Sequence, residues 1–266
     1  MTTVDAYYAD DLGVATYDLL TGSSEVVAAG DVAFYLACAR RFGDPVLELA
    51  VGTGRVAWPL ADAGLHVVGV DLSAAMLEQA ARHGVGRPAA VRERVTLHQA
   101  DMASFALAAA FPLAIIPYSA FQHLLTPERQ RAALACIHRH LVPGGHLVVD
   151  VFDPLLDHCI PGAASPMPDR EAVEPASGHL VRRRTIARHS DPIHQTIAET
   201  FHLEIVSAAG EVIAETETSF AVRWACRQEM AYLFELSGFD VVAQYSDFDR
   251  APPAYGKRQI WVVCRL

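Results

Sequence analysis

The stretch Val46-Leu47-Glu48-Leu49-Ala50-Val51-Gly52-Thr53-Gly54-Arg55 limits what this chain can fold into more than any other. An apolar run closes on two glycines and passes into Val56-Ala57-Trp58-Pro59-Leu60-Ala61. That pattern reads as a buried strand, a tight turn and a helix. Without a Cβ, Gly52 and Gly54 let the backbone approach a ligand and take up positive φ. The helix behind them points free N–H groups at the same place. A second fixed point, His66-Val67-Val68-Gly69-Val70-Asp71, is a strand ending in a carboxylate 23 residues beyond Glu48. A glycine turn followed about 20 residues later by an acid suits a nucleotide, with the acid holding ribose hydroxyls.

From Pro45 onward strands and helices alternate. Val46–Ala50, Val67–Asp71, Val95–Gln99, Leu113–Ile116 and His146–Phe152 read as strands. Helices are expected over Arg55–Ala63, Ser73–His83 and Pro127–His140. Ser73 and Thr126 stand at N-cap positions, Pro127 at a first helical position, and Gly64 and Gly84 just past helix ends. Such alternation specifies an α/β fold, a Rossmann-like and mostly parallel sheet with helices on both faces. Ligands of such sheets sit at the strands' carboxyl ends, where Gly52, Asp71, Asp101 and Pro117 fall.

The flanking segments divide the chain further. Residues 1–44 are helical in character and form an expected cap, with Asp31 as the N-cap of a helix ending near Phe42-Gly43. Residues 45–154 make the cofactor-binding core. Residues 155–225 break the rhythm. Pro161, Pro166, Pro168 and Pro175 exclude a regular helix or central strand over 155–177, leaving a long loop of the kind that serves as a lid. Partial alternation over Thr196–Val206, a turn at Ala208-Ala209-Gly210-Glu211 and continuation over Val212–Thr218 predict a small inserted antiparallel sheet. Residues 226–266 return to the core, with a helix over Arg227–Ser237 and an antiparallel final hairpin of Val241–Tyr245 and Ile260–Arg265.

Composition narrows the function. A hydrophobic fraction of 52% over 266 residues suffices for a full core. The net charge of −10 argues against a nucleic-acid partner, which needs a basic face. The single basic run, Arg182-Arg183-Arg184, reads as a solvated strand edge. Cys38, Cys136, Cys159, Cys226 and Cys264 are widely spaced with no Cys-x-x-Cys pair, so free thiols in a reducing cytoplasm are expected. No apolar run approaches the roughly 20 residues of a membrane span, and Met1 to Leu12 lacks a signal-peptide core. There is no Gly-x-Ser-x-Gly elbow and no Gly-Lys-[Ser/Thr] phosphate loop. Asp150 and Asp153 find no carboxylate partner just after the fourth strand, so no metal is expected.

Four motifs resemble those of class I S-adenosylmethionine-dependent methyltransferases. They are Glu48-Leu49-Ala50-Val51-Gly52-Thr53-Gly54-Arg55, Gly69-Val70-Asp71-Leu72-Ser73 with Met76-Leu77, Gln99-Ala100-Asp101-Met102, and Leu141-Val142-Pro143-Gly144-Gly145. Ala50 stands where the family's acidic-x-Gly-x-Gly-x-Gly loop has its first glycine. The tail Phe234-Glu235-Leu236-Ser237-Gly238-Phe239 with Ser246-Asp247-Phe248-Asp249 is similar to small bacterial members of the group, such as glycine and sugar-amine N-methyltransferases.

The resemblance implies S-adenosyl-L-methionine as cofactor and a role for each matching residue. Gly52 and Gly54 let the loop approach the methionine part, beside Ala50 and Arg55. Glu48 helps hold the cationic amino group, and Asp71 accepts from the ribose hydroxyls. Asp101 takes the adenine amino group with the Met102 backbone beside it, while Leu72 and Met76 pack on the ring. For Arg55 a surface helix charge is an equal alternative.

Methyl transfer is displacement at a sulfonium carbon, for which the protein supplies alignment, a dry site and, for a protonated nucleophile, a base. The fourth strand leads into Pro117-Tyr118-Ser119-Ala120-Phe121-Gln122-His123, where a small-molecule acceptor should lie. His123 is the best-placed base, or else a structural histidine bonded to backbone. Tyr118 shapes the methyl path or packs, and Tyr17 closes over the cofactor or packs in the cap. N-methylation is the first expectation and O-methylation the alternative. A catalytically silent adenosylmethionine-binding protein is a third reading. An NAD-dependent oxidoreductase shares the glycine turn and Asp71, but Asp101 and the Pro-Gly-Gly turn disfavour it. The inserted sheet is expected either to wall the acceptor pocket or to form a homodimer contact.

Overall fold

The computed structural model describes residues 5–22, 30–159 and 169–266. Five parallel strands open the main sheet: β1 (Val46–Leu49), β2 (Val67–Asp71), β3 (Val95–Gln99), β4 (Phe111–Ile116) and β5 (Leu141–Phe152). A second sheet follows, made of β6 (Arg170–Val173), β7 (Leu180–Asp191), β8 (Thr196–Val206) and β9 (Val212–Arg223). The hairpin β10 (Phe239–Tyr245) and β11 (Arg258–Arg265) returns to the first sheet, β11 running antiparallel beside β5. The main sheet has the order β10-β11-β5-β4-β1-β2-β3, which makes the expected Rossmann-like arrangement with an antiparallel end and an inserted antiparallel sheet.

Helices cover both faces because the strands are apolar on both sides, as central parallel strands must be. On one face Leu47, Leu49, Phe111 and Ile116 pack with Leu134, Ile137 and Phe234. These last come from α7 (Pro127–His140) and α8 (Arg227–Leu236). On the other face Val46, Val67, Leu113 and Ile115 meet Phe34, Tyr35 and Leu60. The cap consists of α1 (Ala6–Ala9), α2 (Asp11–Gly22) and α3 (Asp31–Phe42), while α4 (Ala57–Asp62), α5 (Ala74–Val85) and α6 (Ala89–Arg92) belong to the first half of the sheet.

Ser73 caps α5 and Thr126 caps α7, each accepting a backbone N–H three residues on at 3.2 Å. Other local signals resolve differently. The helix α5 runs through Gly84, where a Cβ would come within 2.6 Å of the Trp58 ring. Gly84 is therefore a packing glycine, and the helix ends at Gly86. Asp31 does not cap α3; Gly30 does, and the Asp31 carboxylate turns to Arg55. The strand β5 begins at Leu141, and the Pro143–Gly145 turn is a register irregularity within its pairing to β4. Arg170–Val173 is a strand inside the segment expected to be loop. Pro161, Pro166 and Pro168, on which the expected lid rests, lie outside the described residues.

The basic run also departs from expectation. Arg182-Arg183-Arg184 lies in β7, which has neighbours on both sides, so it is not a sheet edge. Arg182 pairs with Glu171 and Glu204, while Arg183 points inward and is only 4% exposed.

Candidate functional site

Strand order reverses between β1 and β4, and a cavity of about 460 Å³ opens at their carboxyl ends. That size falls within the roughly 300–1,000 Å³ of small-molecule sites, and switch points are where such sheets bind ligands. Ala50, Gly52, Asp71, Leu72, Met76, Asp101, Met102 and Pro117 line it from the sheet, and Tyr17, Tyr118 and His123 line its outer part. Three expected residues, Glu48, Gly54 and Arg55, are not on its wall.

The backbone at both strand ends is held in left-handed conformations. Ala50 has φ 53°, and Tyr118 and Ser119 have φ 57° and 61°. Left-handed residues with a Cβ carry strain of about 1–2 kcal/mol each, and such strain collects at binding sites. At Tyr118 the compensation is visible. Its N–H donates to Asp150 Oδ1 at 2.7 Å, and the Ser119 N–H donates to the Asp150 carbonyl at 3.1 Å. Asp150 is fully buried and also accepts from Tyr35 and Arg258. It is thus a buried strut for the turn that presents Tyr118.

On the β2 side, Gly52 N–H and Ser73 N–H each donate to one oxygen of Asp71 at 2.8 Å. A carboxylate has about four acceptor positions, more than these backbone groups fill, which leaves room for a hydroxyl group. Burial pushes the Asp71 carboxyl up, against the pull of those backbone donors. Gly52 has φ 55°, and a Cβ there would meet only the Ala50 carbonyl oxygen at 4.0 Å, so its backbone is free to face a ligand. Gly54 serves packing instead, since a Cβ there would lie 2.6 Å from Trp58. Arg55 turns away to Asp31 at 2.5 Å and rests over the Tyr118 ring, its charge already answered.

Glu48 is 2% exposed, and its Oε2 has no hydrogen-bond partner among the described residues. Burial pushes its carboxyl up to about 8, only partly offset by Arg55. A buried acid left unpaired beneath the glycine turn fits an incoming ammonium group. Together with the spare acceptor positions of Asp71, this matches the donor set of an aminoacyl nucleoside such as S-adenosylmethionine.

Asp101 is already engaged. Arg129 of α7 donates to both its oxygens at 2.7 and 2.6 Å, and the Ala103 N–H donates at 2.9 Å. An adenine amino group would share these oxygens with Arg129.

The cap supplies residues that sequence reasoning did not single out. His123 Nδ1 lies 2.9 Å from Asp5 Oδ2, and its Nε2 lies 3.1 Å from the Tyr8 hydroxyl. A carboxylate only accepts, so Nδ1 carries the hydrogen and Nε2 accepts from Tyr8. Burial holds the Tyr8 and Tyr17 hydroxyls well above their usual values, so both stay protonated. Ser73 Oγ donates to the Tyr8 carbonyl at 2.6 Å, tying the cap to the cavity rim. Asp5, Tyr8 and Arg129 are separated from their partners by 118, 115 and 28 residues, which no local periodicity reveals.

A doubly wound sheet whose switch point carries a glycine turn and two strand-end carboxylates defines a nucleoside-cofactor protein. Residues 46–145 match the methyltransferase domain family. The chain is similar to the cypemycin N-terminal methyltransferase of a Streptomyces species, at 26% identity over 96% of each chain. It is 29% identical to a dTDP-3-amino-3,4,6-trideoxy-alpha-D-glucopyranose N,N-dimethyltransferase of Streptomyces venezuelae, covering 67% of this chain and 69% of that one. In fold it follows the CcbJ methyltransferase of Streptomyces caelestis, with a TM-score of 0.78 over 99% of this chain and 100% of that one, at 22% identity. The matched domain and these relatives make the protein an S-adenosylmethionine-dependent methyltransferase that resembles the class I group.

Proposed function

We propose that the protein transfers a methyl group to a nitrogen of a small molecule, and that the reacting atoms meet between Tyr17, Tyr118 and His123. The observation that carries this reading is the Asp5–His123–Tyr8 chain at the outer end of the cofactor cavity. The two curated relatives above, whose names specify N-methylation of an amino terminus or an amino sugar, support the choice of nitrogen.

S-adenosylmethionine supplies an electrophilic sulfonium methyl. In this reading Glu48, buried behind the cavity wall, would answer its amino group from beneath the glycine turn, Asp71 would hold its ribose, and Asp101 with the Met102 backbone its adenine. Leu72 and Met76 would pack on the ring. Ala50, Gly52 and Pro117 give the close backbone wall, while Gly54 and Arg55 shape that wall from behind. An amine acceptor attacks only when neutral. His123 Nε2 would take its proton, either directly or through the Tyr8 hydroxyl, while Asp5 holds the imidazole in the required tautomer. Tyr17 and Tyr118, with ring centroids 6.5 Å apart, would frame the methyl path and keep water out.

The inserted sheet is assigned to the acceptor wall, because its inner face packs Phe201 and Phe220 against Tyr7 and Tyr8 of the cap. A homodimer built through that sheet would show as a doubled mass in solution. The five free thiols are consistent with a cytoplasmic setting. The deciding experiment is a screen of amine and hydroxyl acceptors with S-adenosylmethionine, read by release of S-adenosylhomocysteine. Turnover of amines is expected. Turnover of hydroxyl compounds alone would convert the reading to O-methylation, and cofactor binding without turnover would favour a silent binding protein.

A further inference from the structure

The inner face of the inserted sheet carries a charge that the fold satisfies only in part, through the Tyr7 hydroxyl and the more distant Glu199. Arg183 of β7 is 4% exposed, and its Nε and Nη2 have no hydrogen-bond partner among the described residues. Its guanidinium lies over the Phe201 ring, 4.3 Å from the centroid. Directly across the β6–β7 pair stands a second arginine, Arg170. Like charges opposite one another destabilise a sheet, and a buried guanidinium with idle donors is strongly disfavoured. The buried carboxylate on this face, Glu199, faces Arg188 at 3.6 Å and so has a cation of its own. Burial and the Arg170 charge both push Arg183 down from the usual arginine range, while Tyr7 and Glu199 pull the other way.

This arginine pair is not remote from the chemistry. Arg170 Nη1 reaches the Tyr118 hydroxyl at 3.4 Å, and Tyr118 lines the cavity. Two strands present one cation each to the same spot, beyond the ring that frames the acceptor position. Thr218 of β9, paired across from Phe201, adds a buried hydroxyl with no partner among the described residues.

We propose that Arg170 and Arg183 form an anion-binding subsite that recognises a phosphate or carboxylate group on the methyl acceptor. A planar guanidinium fork matches either group with paired N–H donors. The acceptor is then a molecule with its amine at His123 and its anion beyond Tyr118. This inference rests on the methyltransferase reading for the word acceptor, but the subsite itself can be measured without turnover.

The test uses the full chain loaded with S-adenosylhomocysteine and titrated calorimetrically with pyrophosphate, with malonate, and with neutral glycerol as control. At least one anion should bind while glycerol does not, and which anion binds tells a phosphate-bearing acceptor from a carboxylate-bearing one. Arg183→Met and Arg170→Met should each weaken that binding tenfold or more, with S-adenosylhomocysteine affinity unchanged within twofold. Should Arg183→Met fail to fold, Arg170→Met and the shift of the Arg183 Nε–H resonance on adding anion to the wild type carry the test. No binding of either anion, or equal binding by the variants, would overturn the subsite. Failure to bind S-adenosylhomocysteine would instead overturn the methyltransferase reading, and the anion titration of the ligand-free protein would still report on Arg170 and Arg183.

Discussion

The carboxyl edge of the parallel sheet and the inner face of the inserted sheet are both lined by buried polar groups, but they treat them differently. At the parallel edge nearly every such group has a local partner. Asp71 is held by Gly52 and Ser73, Asp101 by Arg129 and Ala103, and Asp150 by Tyr118, Tyr35 and Arg258. On the inserted face Arg183, Glu199 and Thr218 each keep at least one buried atom without a hydrogen-bond partner among the described residues. In the proposed reading the first region is prepared for one cofactor, and the second leaves its valences for the acceptor.

If that contrast is right, the largest effects should come from breaking the parallel edge. Asp71→Ala removes the acceptors proposed for the ribose and the anchor of the glycine turn. Hydrogen bonds to a charged group are worth roughly 1.5–3 kcal/mol each, so cofactor affinity should fall at least about 100-fold. Calorimetry reads it, and unchanged affinity would remove Asp71 from the site.

Next comes the junction of the two regions. Loss of a general base costs roughly 100- to 10,000-fold, so His123→Ala should lower kcat on that scale at neutral pH while leaving cofactor affinity intact. Asp5→Asn should follow in the same direction but more weakly. Full activity in His123→Ala would leave the histidine with a purely structural role.

Glu48 is the exception within the ordered edge, and its titration has a definite sign. Its folded carboxyl sits at about 8 against an ordinary 4.5, so the folded ligand-free protein keeps a proton that the unfolded chain gives up. The stability this contributes is full below about pH 4.5 and is lost as pH rises through about 8. Thermal melts of the wild type should therefore fall over that window more steeply than those of Glu48→Gln. Parallel curves would mean that the carboxyl titrates normally.

The smallest effect concerns Ala50. At φ 53° an alanine is strained, and glycine would remove the strain while adding unfolded-state entropy. Ala50→Gly should stabilise the fold by up to about 1 kcal/mol, measured by urea unfolding. A clear loss of stability would show that the turn gains from the methyl group.

The same contrast explains what the sequence revealed. The β1 turn, Asp71, Asp101, the caps Ser73 and Thr126, and the final hairpin are local patterns of a few residues, and each occupies the place its pattern implied. Gly84 misled because packing against Trp58 and stopping a helix call for the same residue. Arg183 misled because β7 reads as an exposed basic run until β6 and β8 are placed beside it. Asp5, Tyr8 and Arg129 were illegible for another reason. Their meaning lies in partners far along the chain, and a carboxylate or tyrosine in a polar amino-terminal segment carries no local mark of a distant histidine.

The most direct test of the central claim is calorimetric titration of the purified protein with S-adenosylmethionine, S-adenosylhomocysteine and NAD, repeated in buffers of different ionisation enthalpy. The account predicts binding of the first two and not NAD, with a proton released near pH 7 as Glu48 ionises against the incoming ammonium. Binding of NAD alone would contradict the cofactor assignment, and binding of S-adenosylmethionine with no proton release would contradict the place given to Glu48.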